Sequence, residues 1–370
     1  MGDTMSSIRK TLVERTTLRF VGRTTTTDFI RRVFNKPMAL VDGRLLPGRA
    51  LSIPYTIQLE PTNKCNLKCQ MCHRSIVPLS GIGEMKFTDF KKIIDPLLPY
   101  LEAVWLQGEG EPFLCKDIFG MIKYLKRRLV YVNTVTNGTL LSKDVCRKII
   151  SSGLDEIAIS IDGATAETYE QIRIGANFEE VTKKIKTLTS LLNHSSRKNL
   201  KVAAFVVAMK ENIHELPDLV TLIHRLGVKY LWVQDVQFQQ LNAGLAKKEE
   251  SLRVLAEQDG REKERIEHYL KAALRLANKY DLQILTYGGK SIFNRLSISR
   301  ERRKCSWPWT SAYITWDGFV APCCIPSTYF CGNLLEEPFR KIWNDNKYRD
   351  FRRRLKSGKF PYQCVNCSFL

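Results

Sequence analysis

Apolar residues along this chain keep two different rhythms. From residue 54 onward, short apolar runs at 55–59, 103–106, 130–135, 156–161, 202–207 and 230–233 stand between longer stretches where apolar positions return every three or four residues. The runs have strand length, and the stretches at 87–101, 117–128, 142–151, 178–192 and 215–226 have helical spacing. Six such units in succession predict parallel strands joined by helical crossovers, an α/β fold.

Outside this series the pattern changes. Residues 1–50 are basic, threonine-rich and weakly periodic, which predicts helix and loop leading into the core. Residues 246–280 are charged and free of proline, and read as one long or two shorter solvent-facing helices bridging out of the core. A further short strand is expected at 282–286. After residue 304, cysteines, tryptophans, the pair Asp317-Gly318 and Pro322 predict hairpins, loops and a terminal helix. The expected division is 1–50 as a basic extension, 51–245 as the β/α core, 246–300 as a helical connector and 301–370 as a small C-terminal domain.

A chain of 370 residues, 44% hydrophobic, has material for one large α/β domain with an appendage. It has no apolar run long enough to cross a bilayer and no continuous apolar segment near its start, so a cytoplasmic location is the default expectation. The formal charge of +20 is large. Basic residues gather at Arg9, Lys10, Arg15, Arg19, Arg23, Arg31 and Arg32, and again at Arg300, Arg302, Arg303, Lys304, Arg352, Arg353 and Arg354. Such a field attracts anions of any kind, from phosphorylated metabolites and acidic peptides to anionic membrane, or serves solubility alone. With no nucleic-acid-binding motif beside it, no dedicated nucleic-acid function is expected.

The cysteines narrow the chemistry. Eleven of them in a cytosolic chain of this size point to metal or redox work rather than to disulfides. Three stand in a tight loop directly after the first strand, as Cys65-x3-Cys69-x2-Cys72, without a fourth nearby. A [4Fe–4S] cluster held by three thiolates keeps one iron open to a small molecule. A zinc knuckle completed by His73, or three unrelated cysteines, are the alternatives; zinc fits less well, because its usual Cys-x2-Cys pairs repeat at a distance.

This loop at the start of a β/α series closely resembles that of the radical S-adenosylmethionine (SAM) superfamily. The resemblance implies a partial (β/α)6 barrel in which SAM chelates the open iron through its amino and carboxylate groups. Reductive cleavage of the sulfonium then yields a 5′-deoxyadenosyl radical that takes a hydrogen atom from the substrate. Met71 stands where relatives commonly carry an aromatic residue. Gly108-Glu109-Gly110-Glu111-Pro112, after the second strand, resembles the family's glycine-glycine-glutamate motif, with Glu109 in place of the first glycine. The resemblance implies that Gly110, Glu111 and Pro112 meet the SAM amino group. Asn137, in Thr136-Asn137-Gly138, and Ser160 and Asp162, in Ser160-Ile161-Asp162-Gly163, resemble the polar strand ends that contact SAM elsewhere. Arg173 either pairs with the SAM carboxylate or caps the local structure.

The cysteines after residue 304 resemble the SPASM/twitch extension of many radical SAM enzymes. Cys305, Trp316-Asp317-Gly318, Cys323-Cys324, Cys331-Gly332-Asn333, Ile342-Trp343-Asn344 and Cys364-x2-Cys367 follow in that order. The dense cysteine run of the two-cluster form is missing, so the resemblance implies one auxiliary [4Fe–4S] cluster on Cys305, Cys323, Cys364 and Cys367. A structural zinc site on the same four residues is the alternative. Cys324 or Cys331 is an alternate ligand or a hydrogen-atom donor, with Cys331 the donor candidate for an epimerase. Cys115 and Cys146 read as buried small hydrophobes, and Trp307, Trp309, Trp316 and Trp343 chiefly as core.

The expected activity is therefore that of an oxygen-sensitive radical SAM oxidoreductase. It would dehydrogenate or epimerise a small, anionic or carbohydrate-like metabolite, with flavodoxin or ferredoxin as reductant. Asp235, at the end of the sixth strand, is the candidate base. A peptide- or protein-modifying maturase is the alternative, although no leader-recognition segment is expected before residue 50. A non-catalytic iron–sulfur electron carrier is the remote third reading.

Overall fold

Seven strands follow one another along the chain and across the sheet: β1 (Thr56–Leu59), β2 (Ala103–Leu106), β3 (Tyr131–Thr136), β4 (Glu156–Ser160), β5 (Lys201–Ala208), β6 (Tyr230–Asp235) and β7 (Gln283–Thr286). Every neighbouring pair among them is parallel. The computed structural model describes residues 26–75, 79, 81–236, 260–286, 305–324, 329–361, 364 and 367. The basic residues Arg9, Lys10, Arg15, Arg19, Arg23, Arg300, Arg302, Arg303 and Lys304, the connector on either side of 260–286, and the boundary near 300 lie outside the described residues.

The crossovers are helical, as parallel pairing demands. Helix α1 (Thr26–Leu45) precedes the sheet, and α2 (Phe87–Ile94), α3 (Ile118–Arg127), α4 (Lys143–Ser152), α5 (Ala166–Ile172), α6 (Phe178–Asn193), α7 (Leu216–Arg225) and α8 (Gly260–Lys279) lie between strands. Strand β3 alternates between buried and half-buried side chains, whereas β4 and β5 are nearly continuously buried. That difference is what a sheet covered on both faces in its middle produces. Ile57, Leu59, Val104, Leu106, Val132, Ile157 and Leu231 are fully enclosed in one continuous core. Each such side chain contributes about 1.5–3 kcal/mol by leaving water.

The structure departs from the sequence expectation in three elements. Residues 87–101 are helical only to Ile94 and then proceed by turns. A short helix, α5, stands before α6; its seven residues are too few to display a period. Helix α8 does not lead away from the core: Ile266, Leu270, Ala273 and Ala277 are buried, the helix packs on α7, and β7 extends the sheet beside β6.

The C-terminal segment supplies α9 (Trp307–Thr310), β8 (Ser311–Ile314), β9 (Phe319–Ala321), β10 (Gly332–Asn333), α10 (Phe339–Trp343) and α11 (Asn346–Ser357). Strand β8 pairs in parallel with the free side of β1, and β9 and β10 continue outward as an antiparallel meander. The full order is β10-β9-β8-β1-β2-β3-β4-β5-β6-β7. This is a mixed α/β architecture with an open parallel β/α sheet. The strand that carries the cysteine loop is thus central in it.

Two arginines counted in the basic field are not on the surface. Arg32 is buried and donates to the carbonyls of Leu98 and Arg128. Arg352 is wholly enclosed; it donates to the carbonyls of Pro308, Trp343 and Gly48, with its guanidinium 4.3 Å and 4.4 Å from the Trp343 and Tyr348 ring centroids. Burial pulls its pKa down to about 10.

Candidate active site

The chain leaves the C-terminal end of β1 through Glu60 and Pro61 and turns into the loop that holds Cys65, Cys69 and Cys72. The start of the loop is fixed by Thr62 and Asn63, both buried. The Thr62 hydroxyl donates to the Gly83 carbonyl (2.6 Å), and the Asn63 amide bonds to Gly81 and Gly83 (2.7 and 2.8 Å). Its far side is stitched to the end of α5: the Lys68 and Gln70 N–H groups donate to the carbonyls of Ile174 and Ile172 (3.0 and 2.9 Å).

Two side chains from elsewhere in the chain, one past a strand and one past a helix, point at the sulfurs. Asn137, just past β3, directs Nδ2 at the Cys65 sulfur (3.9 Å) and at Asn66 Oδ1 (3.0 Å). Arg173, just past α5, directs one Nη at the Cys69 sulfur (3.8 Å), while its Nε donates to Asp162 Oδ2 (2.5 Å). Asp162 is completely buried and also accepts the Val207 N–H (2.7 Å). Burial alone would lower the Arg173 pKa; Asp162 and Cys69 outweigh it and hold the guanidinium above its ordinary value. A fixed cation therefore faces a thiolate position. Burial pushes the Cys69 thiol up, against Arg173, and the Cys72 thiol up to about 11.

The glycine turn after β2 fits against this loop rather than standing apart from it. A Cβ at Gly110 would lie 2.2 Å from the Thr62 carbonyl oxygen, and one at Gly108 would lie 2.4 Å from a Glu60 carboxylate oxygen. Both positions need glycine so that two backbones can pass closely. Glu111, almost fully enclosed, accepts the Thr136 hydroxyl (2.7 Å), the Asn137 N–H (2.7 Å) and the Phe113 N–H (3.2 Å). Burial raises its pKa against the pull of those donors. Pro112 opens the 3-10 turn that follows. Ser160 ends β4 and is buried.

A second set of thiols gathers where α9, the end of β9 and the chain beyond α11 meet. Cys323, Cys305 and Cys367 all lie within electrostatic reach of Cys364, and Cys324 donates to or accepts from Cys323. Burial, together with Cys323 and Cys367, pushes the Cys305 thiol up to about 12. Cys324 thus joins the four expected residues, whereas Cys331 does not. It is buried among Asp345, Lys347 and Arg352, beside α11.

Family models assign this arrangement. A radical SAM superfamily model matches residues 59–223, and a SPASM model, described as an iron–sulfur cluster-binding domain, matches residues 305–368. The chain belongs to the radical SAM superfamily. Among curated relatives, a tungsten-containing aldehyde ferredoxin oxidoreductase cofactor-modifying protein of Pyrococcus furiosus is 25% identical, over 84% of this chain and 86% of its own length. An AdoMet-dependent heme synthase of Methanosarcina barkeri is 24% identical over 85% and 89%. A PqqA peptide cyclase of Rhodopseudomonas palustris is 26% identical but covers 52% and 49%. The crystal structure of Streptococcus suis SuiB bound to S-adenosylmethionine shares the fold, with a TM-score of 0.62 at 16% identity over 81% of this chain and 68% of that one.

A radical SAM enzyme with a SPASM domain uses a [4Fe–4S] cluster, SAM and auxiliary iron–sulfur ligation. The cysteine loop fits that requirement. Its buried Gln70 Oε1 and His73 Nε2 have no hydrogen-bond partner among the described residues, so polar groups there are open to something else that would satisfy them. The His73 Nδ1 is taken by Glu109 Oε1 (2.9 Å).

Several residues of the radical SAM site carried no sequence signal of their own. Glu60 accepts the Glu109 N–H and the Tyr313 hydroxyl (both 2.8 Å) and joins the glycine turn to the SPASM segment. Burial pushes its pKa up to about 7, against those donors. Asn212 holds the Asp162 carbonyl (3.0 Å), and Glu215 accepts from Ala164, Thr165 and Thr168 at the start of α5. In sequence these are ordinary loop residues, and only the Thr165 cap before Glu167 hints at α5. Trp316 is half-buried against the core, and its ring also lies over Gly83 beside the cysteine loop. Trp309 and Trp343 are core, Trp307 is half-buried, and Cys115 and Cys146 are buried.

Proposed function

We propose that this chain is a radical SAM oxidoreductase that dehydrogenates a small, anionic, non-peptide metabolite. The observation that carries the reading is the Cys65, Cys69 and Cys72 loop with Arg173 and Asn137 aimed at its sulfurs, joined by one sheet to a second thiol set. When bound, the reduced cluster supplies the electron that cleaves SAM and makes the hydrogen-abstracting radical. Cys65, Cys69 and Cys72 would hold that cluster. Gly110, Glu111, Pro112, Asn137, Ser160, Asp162 and Arg173 would shape the SAM pocket around it. Glu111 does so by bracing the Thr136-Asn137 strand end, and Asp162 by fixing the angle of Arg173. Cys305, Cys323, Cys364 and Cys367 would hold the auxiliary cluster.

A substrate radical becomes a double bond by losing one proton and one electron. Asp235 closes β6 at the same sheet end as the cysteine loop and would take the proton. The auxiliary cluster would take the electron. Cys331 supports epimerisation poorly as hydrogen donor, because its neighbours belong to α11 and the preceding turn. Dehydrogenation is therefore preferred. A non-peptide substrate is favoured because the relatives matched along most of the chain are named for work on a cofactor and on heme. The half-length match to a peptide cyclase favours peptide modification as the second reading. A flavodoxin or ferredoxin in the cytoplasm would supply the first electron.

Anaerobic reconstitution tests the assignment. About eight irons per chain and reductant-dependent 5′-deoxyadenosine are expected. Alanine at Cys65, Cys69 and Cys72 should abolish cleavage, whereas alanine at Cys364 and Cys367 should remove about half the iron and leave cleavage uncoupled. Cleavage surviving in the first variant defeats the reading. Deuterium transfer into 5′-deoxyadenosine from labelled carboxylate metabolites, but not from labelled peptides, separates the two substrate classes.

A further inference from the structure

Helix α1 is oriented against the usual rule for a water-exposed helix, which buries its apolar side. Its inward residues are Arg32, Asn35, Ala39 and Asp42. Polar bonds tie them down: Asn35 exchanges hydrogen bonds with the Ile53 backbone (2.6 and 2.8 Å), and Asp42 Oδ2 accepts from Leu51, Ser52 N–H and Ser52 Oγ (2.9, 2.7 and 2.6 Å). The outward face carries Ile30, Val33, Phe34, Met38, Val41 and Leu45, from 41% exposed at Met38 to 67% at Phe34 and 72% at Leu45. Their spacing places them on one side of a 20-residue helix about 30 Å long. Leu40, also exposed, widens the same face.

Basic groups border it. Arg31 and Arg44 are exposed on α1 itself, and Arg49 just beyond its end. The last turns of α11 meet the end of α1: Lys356 Nζ donates to the Arg44 carbonyl (3.0 Å), and the exposed Arg353 lies against Gly48. Asp28 is the acid at the helix start and is engaged by Arg31 at 3.7 Å.

We propose that α1 docks flat on a bilayer surface rich in anionic lipid, with its apolar face at the headgroup–acyl boundary and its basic border against the phosphates. An apolar helical face flanked by arginine and lysine is the arrangement that holds a helix in that plane. No described helix is long and apolar enough to cross a membrane, so the contact is with one surface. Charge selects this occupant over the others. A second copy docked about a twofold axis would bring the basic border against itself. The chain's own residues before α1 carry Arg9, Lys10, Arg15, Arg19 and Arg23, the same sign again.

Vesicle flotation of the full, cluster-loaded chain tests this. The protein should float with phosphatidylcholine vesicles containing phosphatidylglycerol, and raised salt should weaken the binding. The double variant Phe34→Glu/Val41→Glu, altered only at exposed positions, should keep its circular dichroism and iron content and bind at least about tenfold more weakly. Arg44→Glu/Arg353→Glu should lose the preference for phosphatidylglycerol. The proposal is overturned if the wild type floats with neither vesicle, if Phe34→Glu/Val41→Glu floats as well as the wild type, or if the protein is a dimer that this variant dissociates while vesicles are ignored.

Discussion

Arg173 shows how one side chain can serve two neighbours. Its Nε is committed to Asp162 and its Nη to the Cys69 sulfur, both in a closed environment. Removing it strands the Asp162 carboxylate, a loss of about 3–5 kcal/mol. Arg173→Met should therefore unfold at a lower temperature and bind less iron at the first site. Arg173→Lys should keep the charge but not the fork, and recover part of the iron. Glu60 gives a pH signature. Its folded pKa is raised from 4.5 to about 7, so the folded state holds the proton more tightly than the unfolded chain. Its contribution to stability is complete below pH 4.5 and is lost as pH rises through about 7. In Glu60→Gln that fall between the two values should vanish from the anaerobic melting profile. An unchanged profile would show that Glu60 does not titrate there.

Elements were legible wherever a period could be read. All six predicted core strands exist, because alternation or continuous burial marks them over four or more residues. Helix α5 was invisible, since its shape is set by Glu215 reaching back from about fifty positions later. The glycine turn was legible only in part. The resemblance explained the turn by SAM alone, whereas in the structure Gly108 and Gly110 also let it pass close to Glu60 and the cysteine loop. Gly110→Ala should accordingly act on the loop itself, costing about 2 kcal/mol or more through forced displacement of the Thr62 backbone. Iron content and SAM cleavage should fall together, and cleavage at wild-type rate with full iron would refute the close approach.

At the scale of the molecule, the cysteine spacing revealed both thiol sets but not how they are connected. No sequence period announces that β8 will lie beside β1, because the pairing is chosen by burial across more than 250 intervening residues. Nor does composition distinguish a surface arginine from Arg352, which binds α9, α10 and the turn at Gly48 into one block. Arg352→Ala should destabilise the fold by about 3 kcal/mol, seen as a lower melting temperature, and release iron from the second thiol set before the first. Simultaneous release from both would argue that the two sites share one stability.

The place of β8 has a consequence for synthesis. As the chain emerges from the ribosome, β1 can meet β2 early, yet its other side has no partner until residue 314 has been made. Until then the strand feeding the cysteine loop presents a bare edge to any other nascent chain. A ribosome stalled before Ser311 should hold a product that clumps and takes up no iron, so metal loading must wait for nearly the whole polypeptide.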